Sequence, residues 1–433
     1  MRNHARESST SVSALGSAAA SASSKTRARS MRAGSSCQAA SSPRAASSGG
    51  WAVAGLASAA TKSSGTSVAT ARMASHSTGR AVERQWCLLK RGRDRGILDG
   101  PMTVLVTGGS GHLGANLVRR LLDEGQAVRV LVRGDSDNRA LDGLDVERAW
   151  GDLRDARATR EAVRGCRRVY HCAAKVSSGA GQPREIHDCN VLGTRHLLRA
   201  ALDVGVDRIV VTGSVSAVGW VPGRPCDESM PVDPFERLLP YARSKVAAEH
   251  ECLKAAADGL DVVIATSCAI VGPNDFKPSR MGRVLLDFAR GRLRAYIPGG
   301  FEFVAARDIV EGHRLAMDKG RAGQKYIFST AFHTVDELMA IFERVTGRPR
   351  PRLRLPSGLM LALTEVVDAV ARRVAPRAEP RFTPGAVRLL RSERRADVTK
   401  ARSELGYRPT SVEDAVREAY EDFVRRGQVP TRR

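Results

Sequence analysis

The chain has 433 residues, of which 42% are hydrophobic, so it is long enough for two or three domains or one large domain with additions. Its formal net charge is +23, but the excess is uneven, because residues 1–100 hold 15 basic and only four acidic side chains. A helix-turn-helix pattern, zinc-finger spacing and an aromatic RNA-binding signature are absent from the sequence, so nucleic acid is not expected as a partner despite the charge.

The eight cysteines are scattered, without a CxxC pair or a cluster spaced for metal ligands, so no metal site is expected. Such isolated thiols are typical of a cytoplasmic protein in a reducing environment. No apolar run reaches the ~18 to 20 residues that a transmembrane helix needs. Leu359–Val374 is apolar but interrupted by charges, which predicts an amphipathic surface helix and membrane contact that is at most peripheral.

Residues 1–100 form a Ser-, Ala- and Arg-rich extension with few large apolar side chains. This composition cannot bury enough surface to offset the entropy of ordering the chain, so we expect the segment to be disordered. Two interpretations fit it. The favoured one is that translation starts at Met102, directly before the first predicted strand. The other is an organellar targeting segment, which is typically Arg-rich and poor in acids.

A strand, a glycine-rich turn, a helix and a second strand follow one another after this extension. The strands are Thr103–Thr107 and Ala127–Val132, and the helix is Ala115–Glu124. The turn between the first strand and the helix reads GGSGHLG. A glycine motif in this setting predicts a dinucleotide site at the amino end of the helix.

Each of the three spaced glycines in the turn has a separate purpose. Gly108 allows the tight turn, Gly111 lets the backbone approach a pyrophosphate, and Gly114 lets the helix pack on the sheet. The helix then offers unpaired N–H groups and the positive end of its dipole to the phosphates. Arg133 directly follows the second strand, and a cation there suits a 2′-phosphate, so NADP(H) is favoured. Asp135 keeps NAD(H) open as the alternative.

The alternation of strands and helices continues along the chain. Further strands are predicted at Val146–Trp150, Arg168–Cys172, Ile209–Thr212 and Val262–Thr266. Parallel strands joined by helices predict an α/β fold, a Rossmann-type doubly wound parallel sheet that binds ligands at the carboxyl ends of its strands. We expect this dinucleotide-binding domain at residues 101–275. A smaller C-terminal substrate-binding lobe is expected at 276–430, with a strand and helix near 302–330 returning to the first domain.

Tyr241 and Lys245 lie four residues apart, just after Pro240 opens a helix, so they share one helical face. An ammonium group beside a phenol stabilises the phenolate, which allows the tyrosine to exchange a proton with a substrate. A YxxxK pair alone is common, but this one follows a complete nucleotide-binding half. The pair therefore predicts proton transfer beside the dinucleotide.

Several motifs together resemble the extended short-chain dehydrogenase/reductase family over about residues 102–427. The motifs are TGGSGHLG (Thr107–Gly114), GDLRD (Gly151–Asp155), HCAA (His171–Ala174), NVLGT (Asn190–Thr194), VTGSVSAV (Val211–Val218), YARSK (Tyr241–Lys245), VGPND (Val271–Asp275), FVAARDI (Phe303–Ile309) and KARSELGYRP (Lys400–Pro409). Within the family, the chain is most similar to the dihydroflavonol-reductase-like and hopanoid-associated epimerase-like branch.

The resemblance implies cofactor-binding roles for the matching positions. Asp152 and Leu153 would hold the adenine, and Ala173 with Ala174 would pass beneath the cofactor. Arg133 would face the adenosine ribose. The glycine turn would bind the cofactor through Gly108, Ser110, Gly111, His112, Leu113 and Gly114.

The resemblance also implies catalytic roles. Ser214 would hydrogen-bond the substrate carbonyl, and Tyr241 would donate or accept the proton. Lys245 would bind the nicotinamide ribose and tune Tyr241, while Asn190 would act as a structural or proton-relay residue. Relatives usually show two serines where this chain reads Thr-Gly-Ser, so Ser216 is an alternative to Ser214 as the catalytic hydroxyl.

These roles predict an NAD(P)H-dependent oxidoreductase that transfers hydride between nicotinamide and a ketone or secondary alcohol. A lipophilic small molecule, such as a secondary-metabolite intermediate, is the expected substrate, because the residues expected to wall the pocket are mostly apolar. These residues are Val176, Val218, Trp220, Phe276, Met281 and Phe301. A homodimer is expected through the helices at Asn190–Asp203 and Tyr241–Ala257, as in many members of the family.

Two other functions are compatible with the sequence. A nucleotide-sugar epimerase or dehydratase with tightly bound NAD would need cations facing a second pyrophosphate, and Arg280, Arg283 and Arg307 are candidates. A non-catalytic dinucleotide-binding redox sensor is the other alternative. The intact Tyr241 and Lys245 pair argues against a sensor, because a protein that only binds the dinucleotide has no use for proton transfer.

Overall fold

The computed structural model describes residues 103–177, 182–233, 239–374 and 383–429. The N-terminal extension, residues 1–100, lies outside these ranges. The strands are β1 (Thr103–Thr107), β2 (Val128–Val132), β3 (Glu147–Trp150), β4 (Cys166–His171), β5 (Arg208–Ser214), β6 (Val262–Ser267), β7 (Ala269–Val271), β8 (Ala295–Tyr296), β9 (Gly300–Ala305), β10 (Lys325–Phe328), β11 (Ala331–Thr334) and β12 (Leu353–Arg354).

Helices connect these strands and cover the sheets. They are α1 (His112–Asp123), α2 (Ala156–Val163), α3 (Pro183–His187), α4 (Gly193–Val204), α5 (Pro240–Ala257), α6 (Arg280–Ala289), α7 (Ala306–Lys319), α8 (Val335–Thr346), α9 (Ser357–Val374), α10 (Pro384–Ser392) and α11 (Val412–Arg425). A π-helical segment, Asp188–Leu192, joins α3 to α4, and a 3₁₀ turn, Val215–Ala217, follows β5. Within the described ranges, no helix combines the length and apolar character needed to cross a membrane.

Seven parallel strands form the central sheet, in the order β10-β6-β5-β4-β1-β2-β3. The chain runs outward from β1 to β3 and then restarts at β4 on the other side of β1. A crevice forms at the carboxyl ends of the strands where the order reverses, which is the usual ligand site in such sheets. The predicted Rossmann-type α/β fold is confirmed.

Strand β1 shows why this sheet must be covered on both faces. Val104 and Val106 lie in the core formed with α1 and α7, whereas Leu105 lies in the opposite core, formed with α2, α4 and α5. Side chains of a strand alternate between faces, so a continuous apolar run needs helices on both sides. Burial on both faces therefore fixes the glycine turn rigidly at the end of β1.

Two element bounds near the crevice differ from the predicted ones. α1 begins at His112 rather than Ala115, because Gly111 takes the N-cap position and its carbonyl accepts the first helical hydrogen bond from the N–H of Ala115. β5 continues to Ser214, beyond the predicted end at Thr212, because its pairing with β6 extends that far. Both differences bring more residues into rigid elements at the crevice.

The smaller lobe is built on a three-stranded sheet in the order β11-β9-β7, which shares a core with α6, α8 and α11. A two-stranded pair, β8 and β12, lies beyond it. Of the elements near residues 302–330, β9 belongs to the small sheet, whereas α7 packs on α1 and β10 pairs with β6. The chain thus crosses between the two sheets more than once.

Candidate active site

The glycine turn between β1 and α1 is packed so tightly that two positions have no room for a side chain. Gly108 has a φ of 73°, and a Cβ atom there would lie 2.6 Å from the backbone nitrogen of Ala173. A Cβ atom at Gly114 would lie 2.7 Å from the carbonyl carbon of Gly108 and would overlap its oxygen. Both distances are far below ordinary contact, so the turn and the start of α1 require glycine here.

The amino end of α1 is open to a ligand. Its N-cap residue is Gly111, which has no side chain to cover the first N–H groups of the helix. Among the described residues, a Cβ atom at Gly111 would meet only the carbonyl oxygen of Gly108, at 3.2 Å. The first N–H groups of a helix have no partner within it, and they carry the positive end of its dipole. This donor set fits the pyrophosphate of a dinucleotide, which backbone N–H groups can hold without any side chain.

The side chains of His112 and Leu113, both expected at the cofactor, point elsewhere. Nε2 of His112 lies 3.2 Å from the carbonyl oxygen of Gly272 and 3.1 Å from that of Pro273. Leu113 is buried in the core beneath α1. These two residues can therefore contact a cofactor through their backbone N–H groups but not through their side chains.

Charged side chains gather where β2 and β3 end, at the position expected for the adenosine. The Arg133 guanidinium lies 3.5 Å from a carboxylate oxygen of Asp135 and 3.6 Å from one of Asp152. Hydrogen bonds from the side chain and backbone of Arg154 lower the pKa of Asp152 to about 2. Leu153 is buried beside this group. The carboxylate of Asp152 is therefore ionised at neutral pH and can accept hydrogen bonds from a nucleoside.

The structure adds a lysine that the sequence analysis did not single out. Lys277, in the loop between β7 and α6, donates hydrogen bonds to Oγ of Ser110, at 3.1 Å, and to Oγ of Ser136, at 3.3 Å. These contacts join positions 167 and 141 residues apart in the chain. The only sequence signal was that Lys277 follows the VGPND motif by two residues.

The segment just beyond β4, which includes Ala173 and Ala174, is fixed beside the glycine turn by Asn190. Oδ1 of Asn190 accepts from the N–H of Lys175 at 2.7 Å, and Nδ2 donates to the carbonyl oxygen of Lys175 at 3.0 Å and to Oγ of Ser244 at 2.9 Å. Asn190 is 2% exposed, and both ends of its amide are bonded. It therefore holds this segment against α5, whereas its role in proton relay stays a prediction.

Helix α5 carries Tyr241 and Lys245 to the carboxyl end of β5. Lys245 is 7% exposed, and its Nζ donates to the carbonyl oxygen of Thr212 at 2.7 Å. The hydroxyl of Ser214, the last residue of β5, lies 2.8 Å from that of Ser216 in the following 3₁₀ turn. α5 contacts this turn, and Tyr241 is half-buried in the first turn of α5. The predicted catalytic side chains thus lie on adjoining elements at the carboxyl end of the central sheet.

This arrangement combines a proton donor, a fixed cation and a pair of hydroxyl groups. Tyr241 can give or take a proton, and Lys245 supplies a positive charge beside the strand end. The hydroxyls of Ser214 and Ser216 form one hydrogen-bonded unit, in which one can donate to a carbonyl oxygen while the other supports it. Both serines therefore remain candidates for contact with the substrate.

Two buried histidines lie behind these residues, and the first, His171, joins β1 to the first turn of α4. Its Nδ1 lies 2.7 Å from Oγ1 of Thr107, and its Nε2 lies 2.9 Å from Oγ1 of Thr194. Burial, and to a lesser extent the charge of Lys245, lowers the pKa of His171 to about 3. The ring is therefore neutral at physiological pH and serves as a structural link beneath the cofactor site.

The second, His313, lies on α7 and contacts β5. Its Nδ1 donates to the carbonyl oxygen of Ile309 at 2.8 Å, so its Nε2 accepts from the hydroxyl of Thr212, also at 2.8 Å. Burial, helped by the charge of Lys245 and opposed by the hydrogen bond to Ile309, lowers the pKa of His313 to about 4. Thr212 thus connects a neutral histidine and the ammonium of Lys245 to the same strand end.

The buried histidines predict a loss of stability in mild acid. A histidine in the unfolded chain binds a proton near pH 6.5, whereas folded His313 does so only near pH 4. The contribution of His313 to the free energy of unfolding is therefore fully present above pH 6.5 and is lost as the pH falls. Between pH 7 and pH 5, wild type should lose about 2 kcal/mol more unfolding free energy than His313→Gln. Urea unfolding at both pH values measures this. The exposed His250 gives the control, because His250→Gln should show the wild-type pH dependence.

The six residues expected to wall a substrate pocket are separated by the structure. Val218 is buried in the core of the central sheet, and Phe276 lies between the guanidinium groups of Arg119 and Arg426, with centroid distances of 5.5 and 4.6 Å. Met281 and Phe301 pack against the core of the smaller lobe. The expectation is therefore wrong for Val218, which is a core residue, whereas for Phe276 it stays a prediction. Val176 is 62% exposed just beyond β4, and Trp220 lies beneath Arg394.

The sequence and the fold of this chain are both similar to those of known proteins. Residues 104–329 match the model of the NAD dependent epimerase/dehydratase family. Sterol demethylase protein B of Methylococcus capsulatus is 48% identical over 328 residues, which cover 76% of this chain and 100% of the relative. A putative dihydroflavonol 4-reductase of Synechocystis is 35% identical over 75% of this chain and 96% of its own length.

Among solved structures, a dTDP-glucose 4,6-dehydratase of Streptomyces venezuelae with NAD bound aligns with a TM-score of 0.61 and 26% identity, over 75% of this chain and 98% of the other. The description of the family and the bound ligand of this solved structure both name NAD. The chain therefore belongs to the NAD dependent epimerase/dehydratase family, within the extended short-chain dehydrogenases/reductases, and is an oxidoreductase of that family.

Proposed function

We propose that this protein is an NADP(H)-dependent dehydrogenase or reductase that interconverts a ketone and a secondary alcohol on a lipophilic, polycyclic small molecule. The proposal rests on the arrangement of Tyr241, Lys245 and the Ser214–Ser216 pair. They lie at the carboxyl end of the central sheet, the same end that bears the glycine turn. Sterol or secondary-metabolite intermediates are the substrate class that we favour.

In the reducing direction, the bound nicotinamide would supply a hydride to the carbonyl carbon of the substrate. Tyr241 gives its phenolic proton to the carbonyl oxygen, which completes the alcohol. A hydroxyl of the Ser214–Ser216 pair donates a hydrogen bond to the same oxygen and orients it, and Lys245 stabilises the phenolate that remains. Oxidation of the alcohol uses the same groups in reverse.

The cofactor preference rests on the end of β2. Arg133 lies at the position where a 2′-phosphate needs a cation and where NAD-specific sites usually carry an acidic residue. Asp152, the ionised carboxylate nearby, already accepts two side-chain hydrogen bonds from Arg154. These contacts favour NADP(H) over NAD(H) for this chain.

The substrate class rests on two observations. The names of the two curated relatives refer to a sterol and a dihydroflavonol, which are both polycyclic. Arginines that could bind a second pyrophosphate are engaged within the protein: Arg307 is ion-paired with Glu418, and Arg283 donates to the carbonyl oxygen of Pro278 at 2.7 Å. A lipophilic substrate therefore fits these residues better than a nucleotide sugar.

A nucleotide-sugar epimerase or dehydratase is the second candidate. The specific observation in its favour is the fold shared with the NAD-bound dTDP-glucose 4,6-dehydratase over nearly the whole length of that enzyme. Such an enzyme would keep its dinucleotide bound through each catalytic cycle. Exchange of the cofactor therefore separates the two candidates.

We expect the full chain, purified without added cofactor, to bind NADPH reversibly and to oxidise it when a 3-oxo steroid is supplied in detergent micelles. Nicotinamide fluorescence follows binding and turnover, and mass spectrometry identifies the alcohol. Bound NAD that does not exchange, together with conversion of UDP-glucose or dTDP-glucose, would instead support the second candidate.

A further inference from the structure

The loop between β7 and α6 joins the smaller lobe to the amino end of α1. Nδ2 of Asn116 donates to the carbonyl oxygen of Pro273 at 2.9 Å, and Nδ2 of Asn274 donates to Oδ1 of Asn116 at 3.0 Å. Asn274 has a φ of 60°, a left-handed conformation that persists only where surrounding contacts hold it. The loop is thus fixed on the nucleotide-binding helix two residues before Phe276 and three before Lys277.

Lys277 extends from this fixed loop towards the adenosine end of the cofactor site. Its hydrogen-bond partners among the described residues are two neutral hydroxyls, those of Ser110 in the glycine turn and Ser136 beyond β2. Asp137, whose charge also reaches Lys277, is paired with Arg139 at 2.8 Å. The ammonium therefore lies among hydroxyl groups, and the nearby carboxylate is already paired with another cation.

The lysine also lies near another cation, Arg133, because its partner Ser136 donates a backbone hydrogen bond to the carbonyl oxygen of Arg133 at 3.3 Å. Burial lowers the pKa of Lys277, Asp137 opposes that effect, and the charge of Arg133 lowers the pKa further. Bringing two cations together costs electrostatic free energy, and an anion between them removes that cost. Arg133 also faces the carboxylates of Asp135 and Asp152, at 3.5 and 3.6 Å, so its guanidinium must turn from them to reach a phosphate. Together with Lys277 and the hydroxyls of Ser110 and Ser136, it then forms a donor set suited to a dianionic phosphate.

We infer that Lys277 binds the 2′-phosphate of NADP(H) together with Arg133, Ser110 and Ser136, so that the smaller lobe supplies one of the residues that select the cofactor. The inference rests on the proposed function, because it requires a dinucleotide in the glycine turn. The adenosine ribose of a bound dinucleotide reaches the end of β2 in this fold. The lysine exchanges its serine hydrogen bonds for phosphate oxygens when the cofactor binds.

Titration of the full chain with NADPH and with NADH, followed by nicotinamide fluorescence, tests this inference without requiring turnover. Lys277→Met keeps the aliphatic stem but removes the charge. It should raise the Kd for NADPH by about tenfold to a hundredfold, the loss expected for a charged hydrogen bond, and leave the Kd for NADH unchanged. Lys277→Arg should keep the preference for NADPH. Lys254→Met, at an exposed lysine on α5, is the matched control and should behave as wild type.

Two outcomes overturn the inference. Equal weakening of NADPH and NADH would mean that Lys277 contacts the shared pyrophosphate, and unchanged binding of both would mean that the lysine only braces the loop. The variant Arg133→Ala shows whether a negative result concerns only the role of Lys277 or also the proposed use of NADP(H). If Arg133→Ala removes a preference for NADPH that Lys277→Met leaves intact, the proposed cofactor stands and the role of Lys277 does not. Turnover of a ketone with NADH in every variant would leave the oxidoreductase assignment in place.

Discussion

Tyr241→Phe is expected to lower the rate of ketone reduction by about 10²- to 10⁴-fold, the range typical for loss of a general acid. Only the phenolic hydroxyl is removed, so the ring still occupies its half-buried position at the start of α5. NADPH binding should be retained, because the glycine turn and the residues at the end of β2 are unchanged. Stopped turnover with intact binding is the signature of a residue that acts in proton transfer.

Tyr420→Phe is the matched control for this substitution. Tyr420 lies on α11 and packs against the core of the smaller lobe, away from the predicted catalytic residues. Its loss of a hydroxyl should leave both turnover and NADPH affinity as in wild type. Wild-type turnover in Tyr241→Phe, or an equal loss of cofactor binding and turnover, would contradict the proposed role of Tyr241. Steady-state assays and fluorescence titration on the same samples distinguish these results.

The nucleotide-binding half of the fold could be predicted because its information is local. The apolar run of β1, the glycine turn, α1 and β2 lie within one continuous stretch, Thr103–Val132, and each element has its own periodicity or turn chemistry. The pair Tyr241 and Lys245 could be predicted for the same reason, because helical spacing alone puts the two side chains on one face. In the structure both lie on α5, with Lys245 bonded to Thr212.

The parts of the site that depend on distant contacts could not be predicted. Lys277 meets Ser110 only because the loop after β7 folds back onto α1, and no local pattern encodes that approach. Apolar side chains gave a second difficulty. A Val or Phe near a motif has the same sequence signature in a core as in a pocket wall, and only packing separates the two. Val218 is such a case, because its place beside the serine motif predicts a pocket wall, whereas the structure buries it in the core of the central sheet.

Gly114→Ala is expected to weaken both the fold and the cofactor site. Alanine favours an α-helix over glycine by about 1 kcal/mol, so helix propensity alone predicts a more stable protein. Steric overlap opposes this gain, because a Cβ atom at Gly114 would lie 2.7 Å from the carbonyl carbon of Gly108 and 2.8 Å from Cα of Gly109. These are backbone atoms and cannot rotate away, so α1 must shift from the turn. We expect a net loss of about 1–3 kcal/mol in the free energy of unfolding, typical of overpacking.

The same shift should displace the amino end of α1 from the position that fits a pyrophosphate, so NADPH affinity should fall together with stability. Gly358→Ala provides the comparison, because Gly358 also lies in a helix, α9, and a Cβ atom there meets no described atom within 4 Å. That variant should be at least as stable as wild type and should bind NADPH equally well. Urea unfolding and fluorescence titration of both variants give the answer. If Gly114→Ala matched Gly358→Ala in both measurements, close packing of the glycine turn against α1 would not be what forms the cofactor site.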